Sequence, residues 1–269
     1  MYNHLRSDWK SVCPVDSDVV KNLFSNIFHH ILYVNINPNG EKKGNRMKYF
    51  TENELKQMVE RFETLIQTVD RPGMDKLLAF IRKSDFYTAP ASTKYHNPIP
   101  GGLLHHSLNV YDCLKRKIDS GWPGNGYEVK VPEESIIIAG LLHDICKTYY
   151  YKETFKNVKH YEPEIVEAEK AKGVYSKKDG KGEFVWVTEI GYDVNDAIPY
   201  GHGEKSVMMI ENYIKLTGQE RYMIRWHMGF SENKDNWSIL SAAINKYREI
   251  LAIFEADLEA TYCLEERNA

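Results

Sequence analysis

The 269-residue chain is 42% hydrophobic and 27% charged, with a formal net charge of −3. Such a balance is ordinary for a soluble globular protein of one large or two small domains, and it excludes a globally basic nucleic-acid binder. Cys13, Cys113, Cys146 and Cys263 are scattered with no CxxC pair, which points to reduced thiols in a cytoplasmic protein rather than a disulfide frame. The opening residues MYNHLRSDWK lack the apolar core of a signal peptide. The longest apolar run, around Ile136 to Leu142, is far shorter than the roughly 20 residues a membrane helix needs, so no membrane partner is expected.

In chain order, Val19 to Val34 has apolar residues at near-helical spacing and runs into the polar loop PNGEKKGNR. Thr51 with Glu54 forms a capping-box pattern, and Leu55, Met58, Val59, Phe62 and Leu65 make the stripe of the helix that follows. Pro72 opens another helix. Residues 85–100 read as loop, and Gly101-Gly102 leads into a helix ending near Ile118. Pro132 to Lys147 is expected to be one central helix. From 148 to 200 the character changes: Lys- and Gly-rich segments and the alternating run FVWVTEIGYDV predict an insertion carrying a β-hairpin or small sheet. Helices are expected again over Glu204 to Leu216 and Glu220 to His227. A last long one, from about Ser238 to Glu265, carries a stripe from Leu240 to Leu258. The chain therefore reads as all-α, a mainly helical bundle with a small β-containing insertion.

The chemistry gathers around LLHDICK, residues 141–147. An adjacent His143-Asp144 pair ends a run that must be buried, and burying an imidazole beside a carboxylate is costly unless both are compensated. A divalent metal ion compensates both, because imidazole and carboxylate are good ligands for it. Other residues qualify as partners. His106 shares a helix face with Leu103, Val110 and Cys113, whereas His105 is expected to face water. Asp257 lies on the stripe of Ile250 and Phe254, and His227 follows Met223 and Ile224 on an apolar face. His202 sits at a helix N-terminus. Any one core histidine is more often a hydrogen-bonded packing residue than a ligand; the coincidence of several with two carboxylates is the raw material of a metal site between helices.

The ordered set His106, His143-Asp144, Asp257 resembles the H…HD…D signature of the HD-domain metal-dependent phosphohydrolase superfamily. TAPASTKYHNPIPGGLLHHSLNVY (88–111) is similar to the segment that precedes the HD motif in the HD-domain 3′-to-5′ exoribonucleases. The resemblance covers roughly residues 85–265. It implies an HD domain over 85–269 with an insertion at 148–200, and a helical segment over 1–84 packed on the core. Cys146 departs from the glycine of many relatives, and the insertion is longer than a minimal domain carries.

The implied activity is hydrolysis of a phosphate ester of a nucleotide or nucleic-acid end, through water activated by one or two divalent ions (Mn, Fe, Ni, Co or Zn). His106, His143, Asp144 and Asp257 would hold one ion. His202 and His227 would complete a second site with Asp144 bridging, or else contact phosphate or protonate the leaving oxygen. Lys147 could reach a phosphate oxygen or a metal ligand. Arg225 and His96 are further substrate candidates, against the plainer readings of a surface cation and a loop histidine. Lysines of the insertion, with Tyr175 and Trp186, could guide a polynucleotide, or simply be solvated. Two readings from different classes stand side by side: a phosphohydrolase, and a non-catalytic binding or regulatory module that keeps the metal site. Residues 1–50 could serve as an interface between copies, so a homo-oligomer is left open.

Overall fold

The molecule is described by a computed structural model over residues 49–265. The helix expected over Val19 to Val34 and the interface expected of residues 1–50 fall almost wholly outside this range.

Nine α-helices carry the described part of the chain, with one small sheet inserted. Helix α1 (Glu52–Gln67) begins at the expected capping box: the Thr51 side chain accepts from the Glu54 N–H at 3.2 Å, and the Glu54 carboxylate accepts from the Thr51 N–H at 2.7 Å. Leu55, Val59, Phe62 and Ile66 on its inner face are buried. Helix α2 (Met74–Lys83) follows a left-handed Gly73. Helix α3 (Gly102–Asp119) buries Leu103, His106, Val110 and Cys113 on one side, as their spacing predicts.

Helix α4 (Glu133–Leu142) is the centre of the bundle. Every residue from Ser135 to Leu142 is buried, which is why the segment shows no polar face. It packs against α3 at Gly140, where an added Cβ would meet the Tyr111 Cα at 2.7 Å. The two backbones can approach this closely only because position 140 has no side chain.

Beyond α4 the insertion forms a three-stranded antiparallel sheet in the order β1-β3-β2. Strand β1 (Tyr151–His160) pairs with β3 (Gly182–Val194) from Tyr151↔Val194 to His160↔Val185, and β2 (Lys177–Asp179) adds to the far edge of β3. The Lys-rich stretch after β1 is in part a helix, α5 (Pro163–Ala171), opened by Pro163 in its first turn. Several lysines of the insertion are paired: Lys156 with Asp193 at 3.1 Å, Lys159 with Asp179 at 2.7 Å, Lys170 with Glu183 at 2.6 Å and Lys172 with Glu169 at 2.7 Å. Over 148–200 eight lysines stand against ten carboxylates, so the segment is not basic.

Helices α6 (His202–Glu211), α7 (Gly218–Arg225), α8 (Trp237–Lys246) and α9 (Glu249–Glu259) close the bundle. The single long helix expected over 238–265 is broken. Tyr247 is extended (φ −135°, ψ 91°), and its ring packs on Tyr222 with centroids 4.7 Å apart. No proline or glycine marks that break; tertiary packing imposes it. Past α9 the chain widens into a π-turn, Ala260–Leu264. Among the described residues no helix is long and apolar enough to cross a membrane.

Candidate metal centre

The central helix stops where the chemistry begins. Helix α4 ends at Leu142, His143 caps it, and Asp144 takes φ −106°, ψ 16° before a 3₁₀ turn over Ile145–Lys147. This replaces the continuous helix expected to Lys147, for a geometric reason. Neighbouring residues of an α-helix point about 100° apart, so an unbroken helix cannot aim both His143 and Asp144 at one spot. The break does so: His143 Nε2 and Asp144 Oδ2 lie 3.5 Å apart.

Four more elements deliver side chains to the same place. From α3, His106 puts Nε2 3.2 Å from His143 Nε2. From α9, Asp257 places Oδ1 3.3 Å from His106 Nε2. Just past the end of α7, His227 brings Nε2 to 3.5 Å from Asp144 Oδ1. At the first turn of α6, His202 Nε2 is 2.6 Å from that same Oδ1. Gly203 makes this last approach feasible, since a Cβ there would sit 2.2 Å from the Arg225 carbonyl oxygen. Helices α6 and α7 therefore touch backbone to backbone, and the His202 and His227 rings lie 5.2 Å apart.

Asp144 divides its two oxygens between the groups. Oδ2 faces His106, His143 and the Lys147 ammonium, the last at 2.6 Å. Oδ1 faces His202 and His227. Ligand atoms of His106, His143 and Asp144, of His143, His227 and Asp257, of Asp144, Cys146 and His202, and of His96, His106 and Glu265 form four sets, each with members within 4.8 Å of one another.

The imidazoles are held in place from behind. His143 Nδ1 lies 2.9 Å from the Gly140 carbonyl and His227 Nδ1 2.7 Å from the Ile224 carbonyl. A carbonyl only accepts, so both Nδ1 atoms carry a proton and both Nε2 atoms face the centre; burial keeps the His143 ring neutral, whereas Asp144 outweighs burial at His227 and raises it. His202 Nδ1 rests 3.3 Å from Cys146 Sγ, and His106 Nδ1 2.9 Å from Glu265 Oε1. The His227 Nε2 atom is buried without a hydrogen bond. A buried orphan nitrogen, two facing imidazole nitrogens and two carboxylates make a donor set that one or two divalent transition ions satisfy together. The residues present fit such a metal.

Electrostatics agree with that donor set. Burial would raise the Asp144 carboxyl, but Lys147, His143 and His202 outweigh it and hold it well below the usual carboxylate range. Burial of Asp257 is likewise outweighed by His106, which keeps it ionised. Burial lowers His143. For His106 burial is outweighed by Glu265 and Asp257, which push it up to about 10. The centre is thus two ionised carboxylates among imidazoles in a buried site.

The remaining predicted residues fall differently. Lys147 is buried against Asp144, with Asp144 raising it against burial. His96 lies beside the centre, its ring 4.9 Å from that of His106 and its Nε2 buried without a partner. Burial, then His106 and Lys147, bring it down to about 4. Arg225 does not face the cluster as an open cation: it pairs with Glu204 and, at 2.8 Å, with Glu232, and lies 3.9 Å over the Trp226 ring. Its guanidinium is occupied by carboxylates and only 18% exposed, so it matches neither an open phosphate contact nor a solvated surface cation. His105 is half-buried rather than water-facing, 4.9 Å from Phe50 and 3.0 Å from Asn97 Nδ2. Tyr151, whose hydroxyl donates to the Ala91 carbonyl, ties the base of the insertion to the loop that carries His96.

Sequence reasoning passed over Glu265. The carboxylate is buried behind His106, 159 residues away in sequence. The only available signal was an acidic residue two turns past Asp257, and acidic residues at helix ends are commonplace.

No family model matches the chain, and no solved structure matches it. Over 63 residues the chain is 38% identical to a dihydroneopterin 2′,3′-cyclic phosphate phosphodiesterase of Methanocaldococcus jannaschii. The match covers 23% of this chain and 24% of that protein, so the chain spans about a quarter of the length of the curated relative it matches.

Proposed function

We propose that the protein is a metal-dependent phosphohydrolase that cleaves a phosphodiester, with a nucleotide-like cyclic phosphate as the first substrate to assay. The observation that carries this reading is the division of Asp144, one oxygen toward His106 and His143, the other toward His202 and His227. A carboxylate so placed suits two ions, or one ion and a water. The partial likeness to a cyclic phosphate phosphodiesterase supports phosphodiester chemistry in particular.

His106, His143, Asp144 and Asp257 would hold one ion; His202 and His227, with Asp144 shared, would hold the other. Bound there, the metal would supply a water of lowered pKa and a Lewis acid for the phosphoryl oxygen. Lys147 keeps Asp144 ionised, so that the shared carboxylate is not lost to protonation. The Nδ1 contacts of His143 and His227 would hold both rings with Nε2 directed at the ions. His96, beside His106 and lowered by burial, would contact a substrate oxygen. Burial of His106, His143, Asp144 and His227 strengthens each charge interaction, while His202 and Asp257, only partly buried, leave a way in for substrate and water.

Metal content per chain, measured on protein purified without chelator, tests this directly, for the wild type and Asp144→Ala. The expected outcome is near-stoichiometric transition metal in the wild type, its loss in the variant, and phosphodiesterase activity on 2′,3′-cyclic nucleotides that follows the metal. Wild-type protein that stays metal-free after incubation with Mn, Fe, Co, Ni and Zn would sink the proposal.

A further inference from the structure

Of the four imidazoles that meet Asp144, His106 alone is backed by a carboxylate. Gly140 and Ile224 carbonyls stand behind His143 and His227, and the Cys146 sulfur behind His202. Behind His106 stands Glu265, its Oε1 2.9 Å from Nδ1 and its side chain fully buried. Asn109, one turn along α3 from His106, donates to the same oxygen at 3.2 Å and fixes the carboxylate in place. The other oxygen, Oε2, is buried with no hydrogen-bond partner. An ionised carboxylate kept in such a place needs a reason, because burying it is costly. His106 supplies one, as an imidazole that donates its Nδ1–H to a carboxylate becomes a stronger ligand at Nε2 and cannot rotate away.

We infer that Glu265 is the positioning residue for His106, holding Nδ1–H so that Nε2 is aimed and made more basic toward the metal centre. This rests on the reading of the cluster as a metal site. The chain around Glu265 is built for the purpose. Helix α9 sets Asp257 on the centre from one side, the π-turn over Ala260–Leu264 carries the backbone past it, and Glu265 in extended conformation comes in behind the same histidine. One terminal segment thus grips His106 at both nitrogens: Asp257 lies 3.3 Å from Nε2 and Glu265 2.9 Å from Nδ1.

Three substitutions separate positioning from packing. Glu265→Ala removes the acceptor, Glu265→Leu restores volume without an acceptor, and Glu265→Gln keeps an acceptor oxygen without the charge. Co(II) affinity is measured by competition with a chromophoric chelator, together with the cobalt absorption spectrum. The ring Nδ1–H proton of His106 is followed by NMR in metal-free protein, assigned by its loss in His106→Gln.

Affinity is expected to fall about 10- to 100-fold in the Ala and Leu variants, with an altered cobalt spectrum and loss of the protected Nδ1–H signal. The Gln variant is expected to keep the signal and to recover most of the affinity. If Glu265→Leu binds cobalt as the wild type does, the residue merely fills space and the inference is overturned. Should the Ala variant not fold, the Leu and Gln pair still decides. Failure of the metal reading looks different: no cobalt binds to any variant or to the wild type, while the Nδ1–H signal still depends on Glu265.

Discussion

Asp144 and His106 are the residues on which the centre turns, and both titrate abnormally. Free imidazole titrates near pH 6.5, and His106 in the folded, metal-free protein is pushed up to about 10. Its positive charge therefore contributes stability that is complete below about pH 6.5 and disappears as the pH climbs through about 10. Asp144 and Asp257 have the opposite sign. Held below the usual carboxylate range, they contribute stability present above about pH 4 and lost on acidification. Metal-free protein should thus be most stable between about pH 4 and 6.5. Urea midpoints across pH 3 to 10 check this, and a midpoint that rises from pH 7 to 9 would contradict it. An ion entering the centre must displace the His106 Nε2 proton, so affinity should tighten by up to about tenfold per pH unit through the neutral range. Five members of the cluster lie on apolar helix faces or in the HD pair itself, which is why residue spacing alone brought them to notice. Glu265 escaped because its partner is distant in sequence and an acidic residue at a helix end carries no signal of burial.

At the level of elements, two glycines set how near the ligand-bearing helices come. In an exposed helix, Gly→Ala stabilises by roughly 0.5–1 kcal/mol. Here the sign should reverse. Gly140→Ala would push a Cβ into the Tyr111 backbone at 2.7 Å, and Gly203→Ala would meet the Arg225 carbonyl at 2.2 Å. Each should destabilise by about 1–3 kcal/mol, read as a fall in thermal midpoint. Gly203→Ala should also weaken metal binding on the His202 side, because α6 carries His202 at its first residue. A variant more stable than wild type would refute the packing argument. Most helices were legible from their stripes and caps. The breaks at 143–144 and 247 were not. They arise where a side chain must reach a distant partner, and local periodicity carries no trace of such a demand. Helix α5 was hidden for a simpler reason, since its charged residues show only a weak apolar face, with Val166 alone fully buried.

On the scale of the whole molecule, the centre ties α3, the HD turn, α6, α7 and α9 into one knot. An ion bound to the native state alone stabilises it by roughly 4 kcal/mol when present at a thousandfold above its Kd. For a domain of this size that corresponds to roughly 10 °C in thermal midpoint. Adding a chelator should lower the midpoint by about that much in the wild type, with no change in Asp144→Ala; equal shifts in both would argue against the centre. Charge on the same scale bears on substrate size. With eight lysines against ten carboxylates, the insertion carries no net positive charge. Substrate KM should depend only weakly on salt, with a log–log slope of roughly 1–2 rather than the steep slopes of polynucleotide binders. Measurement between 50 and 300 mM salt with a cyclic mononucleotide and with a long oligonucleotide would expose a different answer.

The grip on His106 from both nitrogens also has a consequence in time. Asp257 and Glu265 are translated last among the groups of the cluster, long after the HD pair has left the ribosome. A growing chain that ends short of them carries His106 with neither its carboxylate partner nor its backing group. The cluster is therefore complete only once residue 265 has been made, and an ion that needs the whole donor set would meet it after that point.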